Sequence, residues 1–98
     1  MAFVQIMEFR TSRVDELRRH VEEWEQQTEG RRRARRSVLC HDRENPGRYF
    51  NVVFFDSYDD AMANSALPET DALAKTLRDL ADGAPAFYNL DVEEDREM

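Results

Sequence analysis

Residues 49–55 read Tyr-Phe-Asn-Val-Val-Phe-Phe (YFNVVFF), the most hydrophobic stretch of the 98-residue chain. So dense a run of aromatic and β-branched residues predicts the central strand of a sheet. Asn51 interrupts it, and an amide among large apolar side chains must find partners or lose about 1–3 kcal/mol of solvation. Asn51 is therefore a candidate for a side chain that faces a pocket. Upstream, Asp42-Arg-Glu-Asn-Pro-Gly47 punctuates a turn. Before it, Val38 and Cys40 alternate with Ser37, Leu39 and His41, which predicts a partner strand from about Ala34. Downstream, Ser57 with Asp60 has the form of a capping box with Asp in place of Glu, and opens a short helix to about Asn64. Pro68 suits the first turn of a further helix with Leu73, Leu77 and Leu80 in one stripe, ended by Gly83 and Pro85.

Toward the N-terminus, Phe3, Gln5, Met7 and Phe9 alternate with Ala2, Val4, Ile6 and Glu8, a strand that is apolar on nearly both faces. Ser12 and Asp15 repeat the capping pattern, and Val14, Leu17, Val21 and Trp24 recur at helical spacing, predicting a helix over about 13–29 with Gly30 at its C′ position. Phe87 to Val92 (FYNLDV) predicts a last strand. The order is then β-α-β-β-α-β, with the second helical segment split near Ala66 to Pro68. That is an α+β, ferredoxin-like arrangement with an antiparallel four-stranded sheet, occupying residues 1–92 as one domain. Residues 93–98 form an acidic tail with no reason to be ordered. A lone sheet with one wet face should alternate polar residues on it, and these strands do not. A second copy of the chain covering that face, a homodimer with the two sheets face to face, is the economical solution.

Composition narrows the functional classes. At 41% hydrophobic and 36% charged, the chain has enough apolar residues to fold. Fourteen basic against twenty-one acidic residues, a net charge of −7, oppose binding to phosphate backbones and acidic membranes, so no nucleic acid and no membrane partner is expected. The longest apolar run, Val52 to Phe55, falls far short of the roughly 20 residues of a membrane span. The start MAFVQIMEF has no basic n-region, which makes cytoplasmic location the expectation. One cysteine, Cys40, and two histidines, His20 and His41, make no metal-ligand spacing, so no metal is expected.

Several side chains have both a structural and a functional reading. Trp24 ends the first helix's apolar stripe, which means core packing, a wall against an aromatic ligand, or both. His20 lies about one turn earlier, at the stripe's margin, as a boundary residue or a base whose ordinary pKa is near neutrality. Asn89 repeats the logic of Asn51 in the last strand. Tyr88, Tyr49 and Tyr58 could each bring a phenol to a pocket, although strand tyrosines at a dimer seam are commoner. His41, beside a turn, is expected to be solvated. The run Arg31 to Arg36 (RRRARR) has three readings: a nucleic-acid patch, a rim for an anionic ligand, or a solvated loop and edge strand. The third is preferred, with the arginines pairing Glu22, Glu23, Glu25 and Glu29 or the tail of a partner chain. Arg36 shares a strand face with Val38 and Cys40 and is the member expected to reach a pocket.

Over about residues 3–92 the chain resembles the antibiotic biosynthesis monooxygenases of the dimeric α+β barrel superfamily. The resemblance is carried by the element order and by NPGRYFNVVFFDSYDDAMANSALPETDAL, in which Phe55-Asp56-Ser57 matches an aromatic-x-Ser step after a hydrophobic strand. A short helix from Tyr58 follows, then Asn64 as the polar residue before the Ser65–Pro68 break. The resemblance implies oxygenation of an aromatic, polyketide-like or quinol substrate by O2, without cofactor, in a dry pocket that supplies an oxyanion donor. It places Asn64 first among the catalytic candidates, joined by Asn51 and His20. Trp24, Arg36, Tyr88, Asn89 and Phe55 are the substrate-binding candidates. A non-oxidative small-molecule-binding dimer, or a cyclase or isomerase, fits the same fold. Haem-degrading relatives use an axial His after the short helix; the matching stretch, Ala72 to Thr76, has none, and their Trp position corresponds to Asn64.

Overall fold

A computed structural model describes residues 2–98. The YFNVVFF stretch lies within strand β3 (Arg48–Phe55), which is hydrogen-bonded on both sides. Antiparallel to it run β2 (Arg36–His41) on one side and β1 (Phe3–Arg10) on the other; β4 (Ala86–Asp91) pairs antiparallel with the far side of β1. The sheet order β2-β3-β1-β4 puts the most apolar strands in the middle and the shorter ones at the edges. Helix α1 (Val14–Gln27) connects β1 to β2, while α2 (Tyr58–Ser65) and α3 (Pro68–Leu80) connect β3 to β4. This is the expected ferredoxin-like order with the split second helical segment. No helix among the described residues is long and apolar enough to cross a membrane.

Helix boundaries follow their local chemistry, with one correction. Ser57 Oγ accepts the backbone N–H of Asp60 at 3.0 Å, as the capping pattern predicts, and Pro68 opens α3. Ser12 does not cap α1. Arg13 occupies the N-cap without a side-chain bond, and Thr11 Oγ1 instead accepts the Arg13 N–H at 2.9 Å while donating to the Leu80 carbonyl at 2.8 Å. Thr11 is buried and tied to α3, so it meets the entering backbone before Ser12 can. At the other end, Thr28 is the C-cap of α1, so Gly30, with φ +80°, sits at C″, one place beyond the C′ position expected for it.

Register decides which side chains meet the helices. Phe3 pairs with Phe55, Gln5 with Val53, Met7 with Asn51 and Phe9 with Tyr49, so these residues share the inward face with Ser37, Leu39 and His41 of β2 and Phe87 and Asn89 of β4. Apolar residues at the ends of this face build two separate buried clusters. One is Met7, Phe9, Leu17 and Leu80; the other is Phe3, Phe55 and Ala61. Gln5, Asn51, Ser37 and Asn89 occupy the two middle rows. The core is thus divided, and the interval under the middle of the sheet is where side-chain volume runs out.

The outward face carries Val4, Ile6, Val38, Phe50, Val52, Phe54, Tyr88 and Leu90, with Tyr88 44% and Leu90 47% exposed. Its main polar feature is Arg48, which bridges Glu8 and Asp42 at 3.0 Å each and lies over the Phe50 ring. Asp42 also accepts the backbone N–H of Glu44 and the Asn45 amide, which hold its carboxyl below the usual aspartate range.

Candidate ligand-binding cavity

The interval between the two clusters is a two-lobed cavity under the sheet, closed on the opposite side by α1 and α3. One lobe, about 150 Å3, is bounded by Trp24, Val53, Phe55, Asn64, Thr70 and Leu73. The second, about 250 Å3, extends past Phe9, Leu17 and Leu39 to Arg18 and Glu22. Met7, Val21, Glu25, Ser37, Asn51 and Leu77 line both lobes. The walls are mainly apolar, with amide and hydroxyl groups at intervals, the composition of a small-molecule site.

Asn64 is 5% exposed and sits near the C-terminus of α2. Its Oδ1 accepts the backbone N–H of Arg33 at 3.0 Å and of Ala34 at 3.4 Å. Both partners are donors, so the carbonyl must face them and the amide orientation is determined. Among the described residues Nδ2 has no partner, yet no buried side-chain nitrogen or oxygen is left unsatisfied. Asn64 lines the smaller lobe, and its Nδ2 carries two N–H donors that no acceptor among the described residues takes up.

Asn51, whose position mid-strand singles it out in the sequence, points inward and accepts from Ser37 Oγ at 3.0 Å. Asn51 lines both lobes. Trp24 lines the smaller lobe and donates from Nε1 to Thr70 Oγ1 at 2.9 Å, a bond that joins α1 to α3; the Arg32 guanidinium lies 5.9 Å from its ring centroid. Phe55 forms the floor beside Phe3, the ring centroids 6.5 Å apart. Asn64, Asn51, Trp24 and Phe55 are thus brought together as expected.

Four other candidates are not. Asn89 faces inward but lies on the exposed edge strand and accepts from Gln5 Nε2 at 3.1 Å; Gln5, not Asn89, reaches the cavity. Tyr88 points to the outward face, its hydroxyl donating to Glu8 at 3.2 Å. Arg36 does share a face with Val38 and Cys40, but that face is outward, and its guanidinium lies over Phe54. Both sheet faces are apolar, so an apolar neighbour does not identify the inside. His20 lies in a surface depression between α1 and α3 with Glu23, Gln27 and Glu69, on the far side of Trp24 from the cavity. Tyr49 and His41 stack at the opposite end of the sheet, ring centroids 4.6 Å apart, and Tyr58 packs edge-on against Phe3.

The arginine run pairs with different acids from those expected. Arg31 binds Glu69, Arg33 reaches Asp60 at 3.4 Å, and Arg35 meets Asp56 at 2.8 Å. The hydrogen bond from Arg31 holds the Glu69 carboxyl below the usual glutamate range. The acids of α1 contribute only a backbone carbonyl, that of Glu25, to Arg32 at 2.7 Å. Glu25 and Thr70 are cavity residues that sequence reasoning passes over. A glutamate in a charged helix reads as solvated, and the Trp24–Thr70 bond spans 46 residues. Glu25 is the one ionisable side chain that lines both lobes.

No protein-family model and no curated protein matches the sequence. Solved structures do. The chain has the fold of the antibiotic biosynthesis monooxygenase structures. SnoaB of Streptomyces nogalater, described as a cofactor-independent oxygenase, superposes with a TM-score of 0.78 at 15% identity over 96% of this chain and 95% of its own. A Caulobacter crescentus protein, provisionally assigned as an antibiotic biosynthesis monooxygenase, gives a TM-score of 0.80 at 14% identity over 95% and 91%. A conserved protein of Methanosarcina mazei with no stated activity gives 0.79 at 10% identity over 92% and 91%. At such identities the likeness is one of fold, and chemistry must be argued from the site.

Proposed function

We propose that the protein is a cofactor-independent monooxygenase that oxidises a flat, electron-rich aromatic substrate, of the anthrone or quinol type, with O2. The observation that carries this reading is the orientation of Asn64: its carbonyl is occupied by two backbone donors, which leaves both amide hydrogens free at the wall of the smaller lobe. Such a preorganised donor in a water-poor site stabilises an oxygen that gains negative charge. A substrate keto or phenol oxygen at Nδ2 becomes an enolate or phenolate as its proton leaves, and Glu25 is the carboxylate placed to take that proton. The resulting electron-rich ring reduces O2 itself. For an anthrone, the reacting CH2 becomes C=O: one oxygen atom enters the product, the other leaves as water with the two hydrogens, and substrate carbon supplies the electrons. Trp24, Val53, Phe55 and Leu73 hold the ring and exclude water, while Asn51 offers a second donor to an oxygen farther along it.

The active species in this reading is a homodimer formed through the outward sheet face. Support comes from the apolar side chains that all four strands place on that face, with Tyr88 and Leu90 exposed at its edge, where a lone sheet would alternate polar residues.

The test is oxygen consumption by purified, metal-free protein against a panel of anthrones, naphthoquinols and hydroxylated aromatics, with product masses read in parallel. Uptake above the uncatalysed rate, with one added oxygen atom, supports the reading. Substrate loss without oxygen uptake points instead to a cyclase or isomerase using the same cavity. Binding without turnover points to a non-catalytic module.

A further inference from the structure

The run Arg31 to Arg36 is the strongest compositional feature that the cavity does not absorb: no side chain of it but Ala34 lines either lobe. Its backbone, however, can be accounted for group by group. The N–H groups of Arg31 and Arg32 both donate to the Thr28 carbonyl at 2.9 Å, those of Arg33 and Ala34 go to Asn64 Oδ1, and that of Arg35 goes to the Phe54 carbonyl at 2.8 Å. The two donors that orient Asn64 are therefore the middle of a five-residue ladder stretched between the end of α1 and the edge of β3. Nothing in that ladder is a helix or strand that would hold Arg33 and Ala34 in place by its own repeat.

The arginine side chains supply the missing anchors. Arg31 grips Glu69 in the first turn of α3 and the Gln27 carbonyl at 2.7 Å, so it clamps the start of the ladder to two helices. Arg32 binds the Glu25 carbonyl. Arg33 reaches Asp60 in α2, the helix that carries Asn64. Arg35 donates from Nε to Asp56 at 2.9 Å, at the end of β3. Every anchor belongs to an element that borders the cavity. Four of the five guanidiniums, those of Arg31, Arg32, Arg33 and Arg35, are spent on the protein's own acids and carbonyls, which leaves the run poorly suited to serve as a patch for external phosphate.

From this arrangement we infer that Arg31 and Arg35 are positioning residues for the Asn64 amide: they fix the two backbone N–H groups that hold Oδ1, and thereby aim Nδ2 into the cavity. The inference deepens the proposed function and rests on it for its catalytic consequence, but not for its structural one. Exposed ion pairs are individually weak and contribute little to global folding. Their effect is local, on the angle of one buried donor, where small displacements matter far more to rate than to stability.

The experiment compares the wild-type chain with the double variant Arg31→Gln/Arg35→Gln and its conservative counterpart Arg31→Lys/Arg35→Lys. Amide hydrogen exchange at Arg33 and Ala34, or at the residues replacing their neighbours' contacts, is read by NMR together with the Asn64 side-chain resonances. The expected result is exchange at Arg33 and Ala34 about ten-fold faster in the Gln pair, displaced Asn64 amide signals, and recovery of both in the Lys pair. On an anthrone, kcat should fall about ten-fold with KM unchanged, and no further fall should occur when the Gln pair is added to Asn64→Asp, which has no donor left to misalign. Unchanged exchange at Arg33 and Ala34 in a folded Gln pair would overturn the positioning role, whatever the turnover. An additional loss of turnover on top of Asn64→Asp would overturn its route through Asn64. If exchange responds as expected while the wild-type chain turns over no substrate, the proposed oxygenase fails and the positioning of Asn64 stands.

Discussion

Asn64 has two ends with separate duties, and substitutions can divide them. Asn64→Asp keeps an oxygen for the Arg33 and Ala34 N–H groups but removes the Nδ2 donors. It should fold and melt close to the wild type while turnover falls about a hundred- to a thousand-fold, the scale of deleting one oxyanion donor. Asn64→Ala removes both, and leaving backbone donors without a partner should cost about 1–3 kcal/mol of stability in addition. Urea unfolding beside steady-state kinetics on both variants checks this; equal loss of turnover with equal loss of stability would reduce Asn64 to a structural asparagine. At this scale the sequence was informative in proportion to locality. Asn51 stands out because an amide interrupts an apolar run, whereas Asn64 is singled out only by the family resemblance, since a polar residue where a helix stops is otherwise unremarkable. Arg36 and Tyr88 were expected at the pocket and face outward, since a strand's alternation separates its two faces without saying which one meets the helices. That is decided by pairing with β3 and β1. Thr70 was invisible because its partner, Trp24, lies in another helix.

Among the elements, the split of the second helical segment, read from Ser57, Asn64 and Pro68, positions the cavity. α2 ends beside the segment that leads into β2 and delivers Asn64 to the arginine ladder, while α3 departs to cover the sheet beside α1. Pro68 and the Ser57 cap are local signals, so the break was legible; the ladder from Thr28 to Phe54 was not, because all three of its acceptors, the Thr28 and Phe54 carbonyls and Asn64 Oδ1, come from outside the run. The Arg31–Glu69 pair gives the ladder a pH dependence whose sign follows from the lowered Glu69 carboxyl. A carboxyl held below its ordinary value stabilises the folded arrangement fully above that value, about 4.3–4.5, and loses its contribution as pH falls through the lowered one. Protection of the Arg33 and Ala34 amides should therefore be constant from neutrality down to about pH 5 and decline in stronger acid. In Glu69→Gln that acid-dependent decline should be smaller, the Arg35–Asp56 and Arg33–Asp60 pairs remaining, with protection already reduced at pH 7; hydrogen exchange followed across pH distinguishes the two.

For the whole molecule, the sequence predicted an architecture with one face too apolar for a free sheet, and the register places Val52, Phe54 and Leu90 together on that face. A face-to-face homodimer predicts a single dimeric species in sedimentation at micromolar concentration, and Phe54→Glu, which puts a charge into the proposed seam, should yield monomers with the helical content retained. A wild-type monomer at that concentration would remove the dimer from the account. The division of the core into two clusters around an asparagine-lined gap is what turns this common fold into a candidate enzyme, and the central claim is that the gap lets a bound aromatic react with O2 under the Asn64 donor. The most direct test supplies isotopically labelled O2 to the metal-free protein with an anthrone and weighs the product, for the wild-type chain and Asn64→Asp side by side. The account predicts one labelled oxygen in the product, formed well above the uncatalysed rate by the wild type and at least a hundred-fold more slowly by the variant. Product oxygen drawn from water, or equal rates in both chains, would contradict it.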